Sequence, residues 1–218
     1  MIRQNIENIK RELPSATSLV AVSKFHPVED ILEAYRAGIR RFAESRPQEF
    51  AAKAAELPSD IEWHFIGHLQ TNKLKMVLPY AYMVQSVDSE HLLREIDCWG
   101  RKNGRVVKVL LELHVGKEET KQGFVEEEIL DILFRADSFR NVEFCGLMGM
   151  ATNTDDEKVV AADFQRISDY KAYLDDLFPD LTSFRELSIG MSSDWRTAVR
   201  FGSTMVRIGT AIFGPRNY

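Results

Sequence analysis

Eight short apolar runs alternate with longer helix-like segments along the chain, and this alternation constrains the fold more than any other feature. Between the runs, apolar residues recur at helical spacing, as at Ile31, Leu32 and Tyr35. Such an alternation is typical of a parallel sheet covered by helices. The sequence therefore predicts an α/β protein with strands at residues 19–23, 39–43, 62–66, 81–87, 105–115, 142–148, 186–189 and 204–208.

The chain length favours one closed sheet. A TIM-like (β/α)8 barrel takes roughly 200 residues or more in one domain, and the chain has 218. An open doubly wound sheet is the alternative, because periodicity counts strands without showing closure. No linker, charge block or repeat divides the sequence, so we expect a single domain over residues 1–218 with an extra N-terminal helix at residues 1–14.

The composition argues against several function classes. A net charge of −5 lacks the basic excess that binding to a nucleic-acid backbone needs. Cys98 and Cys145 have no CxxC spacing, which favours a reducing compartment over a disulfide scaffold or a zinc site. No apolar run approaches the ~18 residues of a membrane span. We therefore expect a cytoplasmic protein that binds neither nucleic acid nor membranes.

Two histidines have the HxxxH spacing of a metal-binding pair. His64 and His68 are four residues apart, a spacing that brings side chains together on a helix. On an extended strand they would lie ~13 Å apart, at about 3.3 Å per residue. The prediction is therefore that no metal is bound.

Small and hydroxyl-bearing residues follow the last two predicted strands. In a parallel barrel the functional groups lie at the carboxyl ends of the strands, and phosphate is commonly held by the loops after strands seven and eight. Ser192 follows strand seven, and Gly209 and Thr210 follow strand eight. Ser192, Ser193 and Asp194 could instead cap a helix, but the two loops together favour a phosphate site.

Lys24 comes directly after the apolar first strand. Beside a bound phosphate, its amine is either a counter-charge or a Schiff-base nucleophile activated by desolvation and a neighbouring cation. The apolar strand before it favours the nucleophile.

Long strings in collinear order, from residue 19 to the end, resemble the YggS/PROSC family of pyridoxal phosphate homeostasis proteins. The strings are VAVSKFHP, FAESRPQEF, WHFIGHLQTNK, SVDS, KQGF, GLMGM, LSIGMSSDW and GSTMVRIGTAIFG. The resemblance implies a fold similar to the barrel domain of bacterial alanine racemase, without the second domain of that enzyme. It also implies pyridoxal 5'-phosphate (PLP) as cofactor.

The resemblance also implies site residues. Lys24 would hold PLP as a Schiff base, Ser192, Gly209 and Thr210 would hold its phosphate, and Arg207 would face the pyridine nitrogen. An ion pair of Arg207 with a barrel carboxylate such as Glu44 is the alternative. A further contact is Ser45, which stands where the family often has asparagine. Apart from the resemblance, Met148 follows strand six and could cover the cofactor ring, with packing in the core or at the rim as the alternative. Phe25 and His26 also depart from the family pattern, which commonly has threonine and lysine there.

Three functions remain open from the sequence. The first is a PLP carrier, buffering the cofactor or delivering it to PLP-dependent apo-enzymes, and we expect this one to be a monomer and not an enzyme. The second is an amino-acid racemase, which needs an acid/base group on each face of the substrate. The third is an aldolase-type barrel that uses Lys24 on a sugar phosphate without a cofactor.

Overall fold

Parallel strands and helices alternate along the computed structural model, which describes residues 1–115 and 122–215. Lys121 of the string KQGF and residues 216–218 lie outside the described residues. Within the described ranges the eight strands are β1 (Ser18–Val22), β2 (Arg41–Glu44), β3 (Glu62–Phe65), β4 (Ala81–Val87), β5 (Val107–Leu113), β6 (Val142–Gly149), β7 (Glu186–Ser188) and β8 (Met205–Ile208).

The strands form a closed barrel. They are hydrogen-bonded in chain order, every pair is parallel, and β8 returns to β1 with Met205 opposite Ser18. The predicted TIM-like barrel is confirmed, and the alternative of an open sheet is wrong.

Helices cover the outside of the barrel. Those in the described part of the chain are α1 (Ile2–Glu12), α2 (Val28–Arg36), α3 (Pro47–Glu56), α4 (Leu74–Val77), α5 (Glu90–Asn103), α6 (Glu126–Phe134), α7 (Glu157–Leu177), α8 (Trp195–Arg200) and α9 (Thr210–Phe213), with short 3-10 turns at Thr71–Lys73 and Ala136–Ser138. The predicted N-terminal helix is α1, which buries Ile2, Ile6 and Ile9 and packs against α2 and α9.

Predicted strand limits differ from the observed ones by at most two residues. The run predicted at 39–43 corresponds to β2, which begins two residues later, at Arg41–Glu44. The strand starts late because the Ile39 N–H donates to the Ala34 carbonyl and so belongs to the turn after α2. The run 105–115 became β5 at Val107–Leu113.

Side chains alternate between two environments along each strand. Ala21, Phe42 and Phe65 belong to the large apolar core between sheet and helices. Val20, Val22 and Met205 belong to a separate, smaller cluster. Because neighbouring residues of a strand point to opposite faces, the smaller cluster fills the barrel interior. Alternation therefore also places His64, Gln85, Ser188 and Arg207 inside the barrel.

No helix in the described residues is long and apolar enough to cross a membrane.

Candidate functional site

A cavity of about 630 Å³ opens at the carboxyl end of the barrel. Its size lies in the usual range for small-molecule sites. Six of the seven predicted site residues line it, and Ser45 is absent from its described lining. The lining residues are Val22, Lys24, Ile66, Met148, Met150, Met191, Ser192, Ser193, Arg207, Gly209, Thr210 and Ala211.

Lys24 enters this cavity from the end of β1. Val22 is the last strand residue and lies in the barrel interior, so alternation points Ser23 outward and Lys24 inward. The Ser23 hydroxyl donates to Glu44 Oε1 at 2.7 Å on the outer side. The Lys24 side chain, half-buried, thus shares a cavity with Arg207.

Arg207 projects into the same cavity from β8 and is 3% exposed. Its Nη1 donates to the carbonyl and the hydroxyl of Ser188, both at 2.7 Å, and its Nη2 donates to the Gly149 carbonyl at 3.0 Å. These acceptors are all neutral. Burial lowers the pKa of Arg207 to about 10, so the guanidinium stays charged at neutral pH.

The predicted alternative partner of Arg207 is occupied elsewhere. Glu44 Oε1 accepts from Ser23 and, at 2.7 Å, from Lys53 Nζ. Glu44 lies on the outer face of the sheet, whereas Arg207 lies inside, so the ion pair between Arg207 and Glu44 is not formed.

The chain of hydrogen bonds continues from Arg207 across the barrel interior. The Ser188 hydroxyl donates to Gln85 Oε1 at 2.7 Å, and Gln85 Nε2 donates to His64 Nδ1 at 2.8 Å. We call His64, Gln85, Ser188 and Arg207 the inner network. Burial lowers the pKa of His64 to about 3, so its imidazole is neutral at physiological pH.

The loops after β7 and β8 meet at Ser192. Its hydroxyl oxygen accepts the N–H groups of Gly209 at 3.2 Å and Ala211 at 3.4 Å. Gly190 has a φ of 94°, in the left-handed region that favours glycine, and its carbonyl accepts the Arg207 N–H at 3.0 Å. The hydroxyl of Ser192 therefore joins the two loops, and the N–H groups of Gly209 and Ala211 converge on its oxygen.

Helix capping does not account for these residues. Asp194 is the N-cap residue of α8, but its side chain makes no capping bond to that helix. Its Oδ1 accepts the Met191 N–H at 2.6 Å instead, which fixes the turn that carries Ser192.

Glycine at position 209 leaves room for close approach of the backbone. A Cβ built there would lie 3.1 Å from the Val22 carbonyl oxygen and 3.3 Å from Val22 Cβ. The tight packing of β8 against β1 at this level therefore has little space for a side chain at position 209.

Ser45 occupies a different place from the other predicted contacts. It follows β2 and is half-buried, and a Cβ built on Gly67 would lie only 2.1 Å from its carbonyl oxygen. The backbone of Ser45 thus packs on the backbone of Gly67 beside the barrel mouth.

A second, smaller cavity of about 260 Å³ adjoins the first and shares Met150, Met191 and Ser193 with it. It contains the carboxyl of Glu112, which is 6% exposed. Burial raises the pKa of Glu112 to about 7, against the opposing influence of Arg207. The larger cavity differs, because its described lining contains no carboxylate.

Sequence reasoning missed Gln85, Ser188 and Glu112. Each is a buried polar residue at an inward position of its strand. A polar side chain in a buried strand is the signal that could have identified them, since burial of a polar group is costly unless it is hydrogen-bonded or functional.

The chain matches the family described as alanine racemase, N-terminal domain, over residues 1–217. It is 36% identical to the pyridoxal phosphate homeostasis protein of Vibrio alginolyticus, covering all of this chain and 98% of that one. Among solved structures it is similar to PipY of Synechococcus elongatus with PLP bound, with a TM-score of 0.91, 35% identity and coverage of 98% and 100%.

Alanine racemase from Bartonella henselae shares the fold only. Its TM-score is 0.74 at 16% identity, and the match covers 99% of this chain and 58% of that enzyme. The predicted likeness to the barrel domain of alanine racemase is thereby confirmed.

Proposed function

We propose, since the chain belongs to the pyridoxal phosphate homeostasis proteins of the alanine racemase N-terminal domain family, that it binds PLP and takes part in PLP homeostasis. In this proposal Lys24 holds the cofactor as a Schiff base, and the protein buffers or delivers it. The observation that carries the proposal is one cavity shared by Lys24, Arg207 and the Ser192 loop.

The donor set of the cavity fits such a cofactor. Ser192 and Thr210 offer hydroxyls to the cavity. Because the Ser192 oxygen accepts the N–H groups of Gly209 and Ala211, its own O–H is left to donate, which suits an oxygen of a phosphate. The lack of a carboxylate in the described lining favours an anionic ligand. When bound, PLP supplies an aldehyde that condenses with an amine, and Lys24 supplies the amine.

Arg207 favours holding the cofactor over deep carbanion chemistry. A guanidinium has only donors and keeps its charge at neutral pH. A pyridine nitrogen beside Arg207 therefore stays unprotonated, whereas an aspartate there would promote transamination. The buried inner network holds the guanidinium in place for this contact. Met148, 2% exposed, contributes an apolar wall.

Three finer points belong to the proposal. We infer that the recipients of PLP are apo-enzymes, that the protein works as a monomer, and that it works in the cytoplasm. Its two cysteines, Cys98 and Cys145, are both free thiols, which is consistent with a reducing compartment.

Borohydride trapping tests the proposal. The protein incubated with PLP should develop the visible absorbance of a Schiff base, lose it on reduction, and carry a pyridoxyl group on Lys24 by peptide mass spectrometry. Lys24→Ala should abolish the label. The matched control is Lys108→Met, at the opposite end of the barrel in β5, which should retain it. A protein that takes up no PLP, or a label on another lysine, would overturn the proposal.

Chiral chromatography separates a carrier from a racemase. The PLP-loaded protein, incubated with single enantiomers of several amino acids, should leave them unchanged. Robust inversion that disappears in Lys24→Ala would instead establish the racemase.

A further inference from the structure

Phe25, the residue directly after Lys24, has an unusual backbone conformation. Its φ of 69° makes it the one non-glycine residue with positive φ in the described part of the chain. A bulky side chain in the left-handed region is a strained outlier that persists only where the surroundings impose it. Something must therefore hold the backbone next to Lys24.

Two side chains around α3 hold Phe25. Its N–H donates to Glu49 Oε1 at 2.8 Å, and Glu49 lies in the first turn of α3. The Arg46 guanidinium lies 4.2 Å from the centre of the Phe25 ring. Backbone and ring are thus both fastened to the start of the same helix.

Ser23, the residue before Lys24, is hydrogen-bonded to two charged side chains, one of which contacts Glu49. The Ser23 carbonyl accepts from Lys53 Nζ at 2.8 Å, and the Ser23 hydroxyl donates to Glu44. Lys53 Nζ also pairs with Glu44 Oε1 at 2.7 Å and Glu49 Oε1 at 2.6 Å. The buried ammonium of Lys53 therefore binds Ser23, on one side of Lys24, and also the Glu49 carboxylate that binds Phe25 on the other side. We call Ser23, Glu44, Glu49 and Lys53 the outer ion cluster.

The outer ion cluster does not touch the cavity. None of its four residues is in the cavity's described lining, and strand alternation puts Ser23 and Glu44 on the helix-facing side of the sheet. It can act on the cofactor only through Lys24. Lys53 and Glu44 are buried, at 6% and 0% exposure, whereas the Glu49 side chain is 21% exposed.

We propose that Glu49 is a positioning residue for Lys24, holding Phe25 in the left-handed conformation that directs the Lys24 amine into the cavity. Lys53 fixes the Glu49 carboxylate in this role. The inference rests on the proposed function for its consequence, which is the rate at which Lys24 captures PLP.

Stopped-flow measurement of Schiff-base formation with PLP tests the role of Glu49. Glu49→Ala should slow capture by on the order of tenfold, because moving a reacting group by about 1 Å can lower a rate by up to about a hundredfold. Glu49→Gln keeps an oxygen that accepts the Phe25 N–H, so it should stay close to wild type. The matched control is Glu128→Ala, which removes a similar bond from a loop N–H, that of Val125, at 3.0 Å; its rate should not change.

Glycine at position 25 tests the backbone argument directly. Glycine adopts positive φ without strain, so Phe25→Gly in the Glu49→Ala background should restore most of the rate. Phe25→Ala in that background removes the ring equally but keeps the strain, and should restore nothing. Wild-type capture by a folded Glu49→Ala protein, or equal rates for the glycine and alanine double variants, would overturn the inference.

A labelling experiment keeps this inference separate from the proposed function. The rate of Lys24 acetylation, followed by peptide mass spectrometry without PLP, should change in Glu49→Ala and return in Glu49→Ala/Phe25→Gly. Failure of the wild type to bind PLP would refute the proposed function only, whereas an unchanged acetylation rate would refute the role of Glu49.

Discussion

The outer ion cluster and the inner network lie on opposite faces of the same sheet. Each contains a buried cation, but the partners of the two cations differ in charge. In the outer ion cluster the cation Lys53 contacts two carboxylates at 2.6–2.7 Å. In the inner network the guanidinium of Arg207 donates, among the described residues, only to the neutral oxygens of Ser188 and Gly149. The carboxylates of Glu112 and Asp194 influence Arg207 through space but form no described ion pair with it.

The charge of the partners indicates different roles for the two cations: Lys53 has a structural role, and Arg207 is able to interact with a ligand. A cation in contact with carboxylates has its field largely cancelled, so Lys53 can fasten neighbouring elements but offers little to a ligand. A cation held by neutral dipoles keeps its field while its position is fixed. The cost is desolvation, which is visible in the lowered pKa of Arg207.

Removing the cation of the outer ion cluster should have the largest effect. Lys53→Met leaves Glu44 and Glu49 facing each other without a counter-ion, and breaking a buried pair in this way costs roughly 3–5 kcal/mol. Urea denaturation should show this loss. Lys171→Met is the matched control: Lys171 is equally buried, but its partner Asp175 has a side chain 49% exposed, so about 1 kcal/mol is expected. Equal losses would contradict the distinction.

Glu112 is the carboxylate whose removal should stabilise the protein. Its pKa is raised from 4.5 to about 7, so between these pH values the folded state keeps a proton that the unfolded chain loses. The free energy of unfolding therefore falls as the pH rises through this interval. Glu112→Gln cannot ionise and should be more stable at pH 8, by on the order of 3 kcal/mol, with a flatter pH profile.

Denaturation of the Glu112→Gln variant at several pH values checks this expectation. Glu127→Gln, at an exposed position of α6, is the control and should follow the wild-type profile. A Glu112→Gln protein less stable than wild type at pH 8 would show that the carboxylate is stabilising.

Breaking the inner network at its centre should cost less than removing Lys53. Gln85→Leu leaves the Ser188 hydroxyl without its acceptor and His64 Nδ1 without its donor, and leaving buried polar groups unsatisfied costs about 2 kcal/mol. His64→Leu in the Gln85→Leu background should recover part of this loss, because it removes the imidazole whose Nδ1 is left unsatisfied. Additive losses in the double variant would argue against coupling.

The smallest effect on stability should come from Gln85→Glu, which introduces a carboxyl group into the inner network. Gln85→Glu places a carboxylate beside His64, which favours the imidazolium. In the wild type the lowered pKa of His64 removes stability as the pH falls from 6.5 to about 3. The variant should therefore show a higher His64 pKa by NMR and a shallower acid transition. A pKa that stays near 3 would mean that the carboxylate is itself protonated.

Much of the site followed from strand order. Lys24, Ser192 and Thr210 each follow an apolar run, and the carboxyl ends of parallel strands converge in a barrel, so their meeting in one cavity was predictable. Ser45 also follows a strand, yet the described cavity lining does not include it. Position after a strand fixes the end of the barrel but not the direction of the side chain or the packing of its loop.

The sequence by itself determined the alternation of strands and helices, and with it which residues lie at the barrel mouth, because these depend on local periodicity and chain order. Only the tertiary structure decided that Arg207 reaches Ser188 and not Glu44, and that Gln85 joins Ser188 to His64. It also decided that Lys53 binds Ser23 directly and is linked to Phe25 through Glu49. These contacts link residues up to 103 positions apart, and they depend on barrel closure and on which face of the sheet each side chain occupies.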